Sequence, residues 1–213
     1  MIARKLTVFG ASGGTGTQLV RQALGRELDV EAVVRERSRL PIEHPRLTVT
    51  VADVLDPAAI EPAVADADAV LSALGPRKGD SASITADAIA SIAQAMKAAG
   101  VRRIVAISAA PIAPVAPVDP FVYKRIARPL LWRFFGAGYR ALAAMEETLA
   151  ASGLDWTVTR PALLTDGPLA GEAEYVLDYS KPGGFRISRA DLADTMLRVL
   201  DDPHAYGRYV RFR

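Results

Sequence analysis

Residues 6–16 constrain the possible folds of this chain more than any other stretch. An apolar run of four residues ends at Gly10, two more glycines follow at Gly13 and Gly16, and a helical pattern begins directly afterwards. The N-terminus of a helix offers free N–H groups to a phosphate, and glycine lets the backbone of the turn approach the ligand closely. The stretch therefore predicts a dinucleotide pyrophosphate site, formed by Gly10, Ser12, Gly13, Gly14, Thr15 and Gly16.

Strands and helices alternate through the first half of the chain. Strands are predicted at 6–9, 30–34, 47–52, 69–73 and 103–108, and helices up to about residue 25, at 57–64 and at 81–99. Because the strands are nearly continuous in apolar residues, they fit a parallel sheet that helices cover on both faces. We therefore predict an α/β fold with a doubly wound parallel sheet of the Rossmann type. Ligands of such sheets bind at the carboxyl ends of the strands, which here carry Gly10, Arg35, Asp53, Gly75 and Ser108.

The second half of the chain begins with a proline-rich loop over residues 109–120. Four elements are predicted after it: a helix at 139–152, a strand at 156–159, a helix capped by Ser188 and ending at Leu200, and a strand at 206–212. Residues 162–187 are rich in turns and carry short strands at 172–177 and 185–187. We predict one domain over residues 1–213, with a small C-terminal substrate lobe formed by about 111–138 and 162–187.

Residues 121–135 mix aromatic and aliphatic side chains with Lys124 and three arginines. Pro129 divides this stretch, and residues 136–138 close it with two glycines. Because the stretch follows the end of the fifth strand, we expect it to influence substrate specificity. Two interpretations stay open, a lid over the nicotinamide and a helix that packs on the small lobe, and the arginines also suit a membrane surface or an acidic substrate.

Arg35 bears on which dinucleotide binds. The residue that ends the second strand lies beside the adenosine ribose, where an acidic residue binds the 2′-hydroxyl and an arginine suits a 2′-phosphate. Arg35 and Arg39 therefore favour NADPH over NADH, with a solvated basic loop as the alternative. Asp53 and Val54 follow the third strand and are assigned to the adenine. Asp53 equally suits a helix N-cap, although Asp56 is better placed for that role.

The composition excludes several classes of site. There is no cysteine, which excludes disulfides and thiolate metal sites, and the two histidines lie in proline-flanked loops, so we expect no metal site. A net charge of +2 is too small to indicate a nucleic-acid partner. No run of apolar residues is long enough to span a membrane, and we see no signal peptide. We therefore expect a cytoplasmic protein with a small-molecule partner.

Several motifs together resemble the atypical short-chain dehydrogenase/reductases. They are FGASGGTG at 9–16, Asp53, ALG at 73–75, SGLDWTVTRP at 152–161, LTDGP at 164–168 and ISRADLA at 187–193. The resemblance is greatest to the single-domain NAD(P)H-binding group related to biliverdin reductase B-type flavin reductases and NmrA-like sensors. It covers nearly the whole chain and implies a Rossmann-type fold that binds NADP(H). By this resemblance the cofactor also contacts Leu74 and Gly75, and Pro161 and Ala162 border the nicotinamide.

The catalytic residues of that family match only in part. Active members use serine, tyrosine and lysine, with Tyr-x-x-x-Lys on one helix so that both side chains share a face. Ser108 matches the serine and Tyr139 heads the corresponding helix, but Ala143 stands where the lysine belongs. A tyrosine with a pKa near ~10 cannot act as a base at neutral pH, although it can donate a proton. Ser108 and Tyr139 are the catalytic candidates, whereas Glu146 and Glu147 are expected to face solvent.

Two functions remain open from the sequence. One is an NADPH-dependent oxidoreductase that transfers hydride to a flavin, a quinone or another conjugated acceptor, which needs little acid catalysis. The other is a redox sensor or regulatory protein that binds NADP(H) without turning it over and signals through a protein partner. The missing lysine favours the sensor, and the aromatic stretch at 121–135 favours the reductase.

Overall fold

The computed structural model describes residues 4–75, 83–115, 119–171, 173–178, 184 and 186–212. Its strands are β1 (Lys5–Phe9), β2 (Asp29–Val34), β3 (Leu47–Val51), β4 (Ala69–Ser72), β5 (Arg103–Ile107), β6 (Asp155–Thr159), β7 (Leu163–Thr165), β8 (Tyr175–Leu177), β9 (Arg186–Ser188) and β10 (Arg208–Phe212). Its α-helices are α1 (Gly14–Gly25), α2 (Pro57–Val64), α3 (Ile84–Ala98), α4 (Arg128–Ala150) and α5 (Arg189–Leu200).

One eight-stranded sheet forms the centre of the molecule, with the strand order β3-β2-β1-β4-β5-β6-β10-β8. The strands run parallel except β8, which pairs antiparallel with β10. From β1 the chain adds strands on one side as far as β3, then returns to add β4, β5 and β6 on the other. The predicted doubly wound fold is confirmed, and its switch point lies at the end of β1, where such sheets bind ligands.

Two hydrophobic cores lie on the two faces of this sheet, because successive side chains of a strand point to opposite faces. Val8 packs with Leu19 of α1 and Leu192 of α5 on one face. Phe9 packs with Ile92 of α3 on the other face, which α2 and α4 also cover. The glycine turn that follows Phe9 is therefore anchored to both cores, which fixes its position relative to the neighbouring strand ends.

The helix α4 begins earlier than the sequence indicates. It starts at Arg128 and continues without a break through residues 136–138, where we had predicted an interruption before a helix at Tyr139. A wider π-helical turn over Tyr123–Ala127 precedes it directly. Pro129 is the second residue after the π-helical turn, and the two glycines lie within a helix that packing on α3 and β6 supports.

The strands near the C-terminus also differ in part from the prediction. Leu163–Thr165 forms β7, which the sequence analysis did not predict and which pairs with β9 in a separate two-stranded sheet. The strand predicted at 172–177 is shorter, and it joins the central sheet as β8. Residues 172 and 185, at the starts of the two predicted strands, lie outside the described residues, as do the first residues of the helix predicted at 81–99. The predicted cap is confirmed, because the Ser188 side chain accepts a hydrogen bond from the N–H of Asp191.

Candidate cofactor site

The glycine turn after β1 is packed so closely that side chains do not fit at two of its positions. Gly10 has a φ of +73°, and a Cβ atom there would lie 2.8 Å from the carbonyl oxygen of Ala73 at the end of β4. A Cβ at Gly16 would lie 2.0 Å from the carbonyl oxygen of Gly10. The N–H of Gly13 donates to that same oxygen at 2.9 Å. The turn therefore holds the start of α1 directly against the ends of β1 and β4.

The first turn of α1 keeps its N–H groups available. No side chain caps this helix at Gly13, and its first turn contains no acidic residue, so nothing there competes with an anion. Thr15 is buried and Ser12 is half-buried in the turn. A helix N-terminus of this kind, preceded by a glycine turn and without a side-chain cap, fits a pyrophosphate group.

Arg189 is a residue that the sequence analysis did not single out at this site. Its Cδ atom lies 2.7 Å from the position that a Cβ of Gly14 would occupy, so its side chain extends along the start of α1. Its guanidinium forms an ion pair with Asp166 at 2.5 Å. A cation therefore lies beside the N–H groups of α1. The ISRADLA motif contained Arg189, but no local pattern indicated that α5 brings it to the glycine turn.

Arg35 directly follows β2, and the register of the sheet places it next to the glycine turn, because Phe9 pairs with Val33. The Arg35 side chain is exposed and forms no ion pair within the described part of the chain. Arg37 differs, since its guanidinium donates to the carbonyl of Leu40 at 2.8 Å. Arg39 is exposed in the same short 3₁₀ turn. Arg35 and Arg39 are thus the two cations of this turn that remain open to a ligand.

The carboxylate of Asp53 is not the cap of α2. Asp56 is the N-cap, because its side chain accepts hydrogen bonds from the N–H groups of Ala58 and Ala59. Asp53 is exposed, and one of its oxygens accepts from the N–H of Leu55 at 3.0 Å. No described residue donates a hydrogen bond to the other oxygen, and the neighbouring Val54 is half-buried and packs on the core.

The remaining candidate cofactor-binding and catalytic residues follow the strands on the other side of β1. Leu74 and Gly75 follow β4, and a Cβ at Gly75 would meet nothing within 4 Å. Pro161 and Ala162 follow β6, and the carbonyl of Pro161 accepts from the N–H of Ala110. Ser108 follows β5 and is only 5% exposed, yet its hydroxyl has no hydrogen-bond partner within the described residues. A buried hydroxyl without a partner costs about 1–3 kcal/mol, so the Ser108 hydroxyl is free to bond to a ligand or to a water molecule.

Tyr139 lies on α4 among aromatic rings rather than beside a cation. Its ring centroid is 5.5 Å from that of Trp132 and 6.3 Å from that of Phe135. Burial raises the pKa of Tyr139 above its usual value near 10, and the neighbouring Tyr123 adds to the rise. Tyr139 therefore stays protonated at neutral pH and can donate a proton but not accept one. Ala143, one turn further along, provides nothing that would lower this pKa.

Glu146 is buried, so the expectation that it faces solvent was wrong. Its carboxylate accepts two hydrogen bonds from the guanidinium of Arg160, one from Nε at 2.8 Å and one from Nη2. The guanidinium also lies 3.6 Å above the ring of Tyr209. The pair ties α4 to the end of β6, directly before Pro161. The helix period alone does not show that Glu146 faces β6 while Glu147 is exposed.

The described residues contain no group of three acidic or histidine side chains that could hold a metal ion. Within the same part of the chain, no helix is long and apolar enough to cross a membrane. What the strand ends do bring together is an uncapped glycine turn, two open arginines and a buried free hydroxyl, and this set of groups fits a phosphorylated dinucleotide.

Comparison with known proteins agrees with this site. The sequence matches the family described as NAD(P)H-binding over residues 10–203. A short-chain dehydrogenase/reductase from Veillonella parvula DSM 2008, solved in complex with NADP, is 20% identical, with 99% of this chain and 94% of that chain covered and a TM-score of 0.81. A putative epimerase from Bacteroides thetaiotaomicron is 25% identical, with 99% and 96% covered and a TM-score of 0.79.

An anaerobilin reductase from Escherichia coli O157:H7 is 20% identical, with 97% of this chain and 96% of that chain covered and a TM-score of 0.77. Likenesses at 20% identity show a common fold, whereas the family match extends over most of the sequence, from the glycine turn to beyond α5. The resemblance to the atypical short-chain dehydrogenase/reductases is confirmed, and the chain belongs to the NAD(P)H-binding family.

Proposed function

We propose that this protein is an NADPH-dependent oxidoreductase that reduces a conjugated small molecule such as a flavin or a quinone. The observation that carries the proposal is the buried hydroxyl of Ser108, which lacks a hydrogen-bond partner among the described residues at the end of β5. The position of this hydroxyl, at a strand end where ligands of such sheets bind, suits a reductase, which uses such a group to hold the carbonyl of its acceptor.

Each part of the cofactor is bound by a different group of residues. The N–H groups at the start of α1 bind the pyrophosphate, and Arg35 with Arg39 binds the 2′-phosphate. Pro161 and Ala162 support the nicotinamide from the end of β6. When bound, NADPH supplies the hydride. Two relatives support this assignment, since one was solved with NADP and another is described as an anaerobilin reductase.

The proton that accompanies the hydride comes from Tyr139 or from solvent. Tyr139 is protonated at neutral pH because burial and Tyr123 raise its pKa. A raised pKa also makes Tyr139 a weaker acid, so it donates only to a reduced acceptor that is more basic than tyrosinate, and solvent then returns the proton to Tyr139; water protonates a less basic acceptor. Flavins and quinones accept hydride readily, so orienting the acceptor and excluding water are the main tasks of the protein.

NADPH oxidation against a panel of flavins and quinones tests the proposal. We expect turnover with at least one acceptor, and we expect Ser108→Ala to lower kcat more than it changes the Kd for NADPH. The alternative function, an NADP(H)-binding redox sensor, is favoured by Ala143 in place of the family's lysine. Tight NADPH binding without turnover of any acceptor would establish the sensor instead.

Cofactor preference is tested separately with Arg35→Glu, using Arg21→Glu as the matched control. Arg21 is exposed on α1, away from the strand ends. A charge-assisted hydrogen bond contributes about 1.5–3 kcal/mol, so we expect Arg35→Glu to weaken NADPH binding about 10- to 100-fold and to leave NADH binding nearly unchanged. Equal affinities of the wild type for NADPH and NADH would contradict the role given to Arg35.

A further inference from the structure

The helix that precedes Tyr139 presents apolar side chains to solvent. Val122, Ile126, Leu130 and Phe134 follow one another at four-residue spacing along the π-helical turn and α4, and we call them the outer stripe. Their exposed fractions are 61%, 59%, 52% and 70%. Residues at this spacing share one helix face, so the outer stripe runs about 18 Å along the surface. Surface helices normally turn such a stripe toward the core, so this orientation is inverted.

The opposite face of the same helix already has its partners. Trp132 donates from its indole nitrogen to the carbonyl of Pro111 at 2.9 Å, and Arg128 donates to the same oxygen at 3.2 Å. Gly136 is buried, and Tyr139 packs on Trp132. The helix is therefore held in a definite orientation. Because these contacts fix the inner face of the helix against the protein, the outer stripe necessarily faces solvent.

The charged residues of the segment that carries the outer stripe are all of one sign. Residues 121–140 contain Lys124, Arg125, Arg128, Arg133 and Arg140 and no aspartate or glutamate. The whole chain has a net charge of only +2, so this segment is far more basic than the average. Arg125, Arg133 and Arg140 are exposed and take part in no ion pair with any described residue.

We propose that residues 121–140 form a docking surface for an anionic lipid bilayer. An apolar stripe flanked by arginines inserts into the boundary between headgroups and acyl chains, while the cations remain with the anionic headgroups. Each cation near such a surface strengthens binding about fivefold. A second copy of the chain fits the same surface poorly, because a two-fold interface would bring two groups of three exposed arginines, Arg125, Arg133 and Arg140, together without a counter-charge from this segment.

This inference does not depend on the proposed reductase, since membrane binding is measured without cofactor or acceptor. The assay is co-sedimentation with vesicles of equal parts phosphatidylglycerol and phosphatidylcholine, compared with vesicles of phosphatidylcholine alone. We expect the wild type to partition onto the anionic vesicles and to be released by high salt. Absence of binding to anionic vesicles at low salt would overturn the proposal.

Two double variants separate the apolar and the electrostatic contributions. Ile126→Ser with Phe134→Ser removes half of the outer stripe, and we expect at least tenfold weaker partition. Arg125→Glu with Arg133→Glu replaces two cations by anions, and we expect at least about fivefold weaker partition for each replacement. All four side chains are exposed, so the thermal midpoint of unfolding should change little, which shows that the variants are folded.

The matched controls lie elsewhere on the molecule. Val51→Ser removes an exposed apolar side chain from β3 at the opposite edge of the sheet, and Arg21→Glu reverses an exposed charge on α1. Both should bind anionic vesicles as the wild type does. If Arg21→Glu weakens binding as much as each replacement in residues 121–140, adhesion is nonspecific and the proposal is wrong. It is equally wrong if sedimentation equilibrium shows a dimer that the outer-stripe variant dissociates while vesicle binding persists.

Discussion

Replacing Gly16 by alanine tests the central claim about the glycine turn, because the structure predicts the sign and the size of the effect. The added Cβ would lie 2.0 Å from the carbonyl oxygen of Gly10, and ordinary contact requires a separation larger by about 1.4 Å. The oxygen belongs to the backbone and a Cβ atom has a fixed position on its own Cα, so no rotation of a side chain relieves the clash. The helix start has to move, and the hydrogen bond between Gly13 and Gly10 is lost with it.

The free energy of unfolding should fall by about 3 kcal/mol. Overpacking of this kind costs up to about 3 kcal/mol, and the lost hydrogen bond adds about 1 kcal/mol. The higher helix propensity of alanine offsets this loss by stabilising the folded state by about 1 kcal/mol. For a chain of this length each kcal/mol corresponds to about 2–4 °C, so the thermal midpoint should fall by about 6–12 °C. NADPH binding should weaken in parallel, since the turn no longer holds the start of α1 in place.

The matched control is Gly25→Ala in the last turn of the same helix. A Cβ at Gly25 would meet nothing within 4 Å, so only the propensity gain remains, and stability should rise by about 0.5–1 kcal/mol. Urea denaturation with the slope held common to both variants gives the two changes in the free energy of unfolding. If Gly16→Ala changes this energy by less than about 0.5 kcal/mol, the turn has room that the structure excludes, and the steric reasoning fails.

Three further variants test contacts between distant parts of the chain. Glu146→Ala leaves the buried guanidinium of Arg160 without its carboxylate and should cost about 3–5 kcal/mol in urea unfolding, whereas the exposed Glu147→Ala should change stability by less than about 0.5 kcal/mol. Asp191→Asn should destabilise the protein at neutral pH. Burial raises the pKa of the Asp191 carboxyl, but the hydrogen bonds that it accepts lower this pKa by more, so the folded state favours the charged form. A lowered pKa of an acid stabilises the folded state above the unfolded-state value, so the difference from the wild type should shrink below about pH 4 as the carboxylate protonates. Arg189→Ala should weaken NADPH binding about tenfold with little loss of stability, since its ion pair with Asp166 is exposed; unchanged affinity in a fluorescence titration would remove Arg189 from the site.

The elements that the sequence predicted well are those with strong local signals. The helix at 57–64 was predicted at both ends, because Pro57 follows a capping aspartate at its start. The strand ends at Phe9 and Val34 were also predicted, since apolar runs stopped there at a glycine and a charged residue. The short strand β7 was not predicted, because it lies in a turn-rich stretch and its pairing partner β9 is distant in the chain, with Leu163 opposite Arg186.

The sequence by itself determined the class of fold and the chemical character of the cofactor site. These properties depend on residues that are close together in the sequence: the spacing of the glycines, the alternation of strands and helices, and the identity of Arg35. Local sterics and periodicity are therefore enough to predict them. Only the tertiary structure brought Arg189 to Gly14, buried Glu146 against Arg160, and left the outer stripe of α4 facing solvent. Each of these depends on which distant element packs on which face, and that is decided by the burial of the whole core, which no local pattern contains.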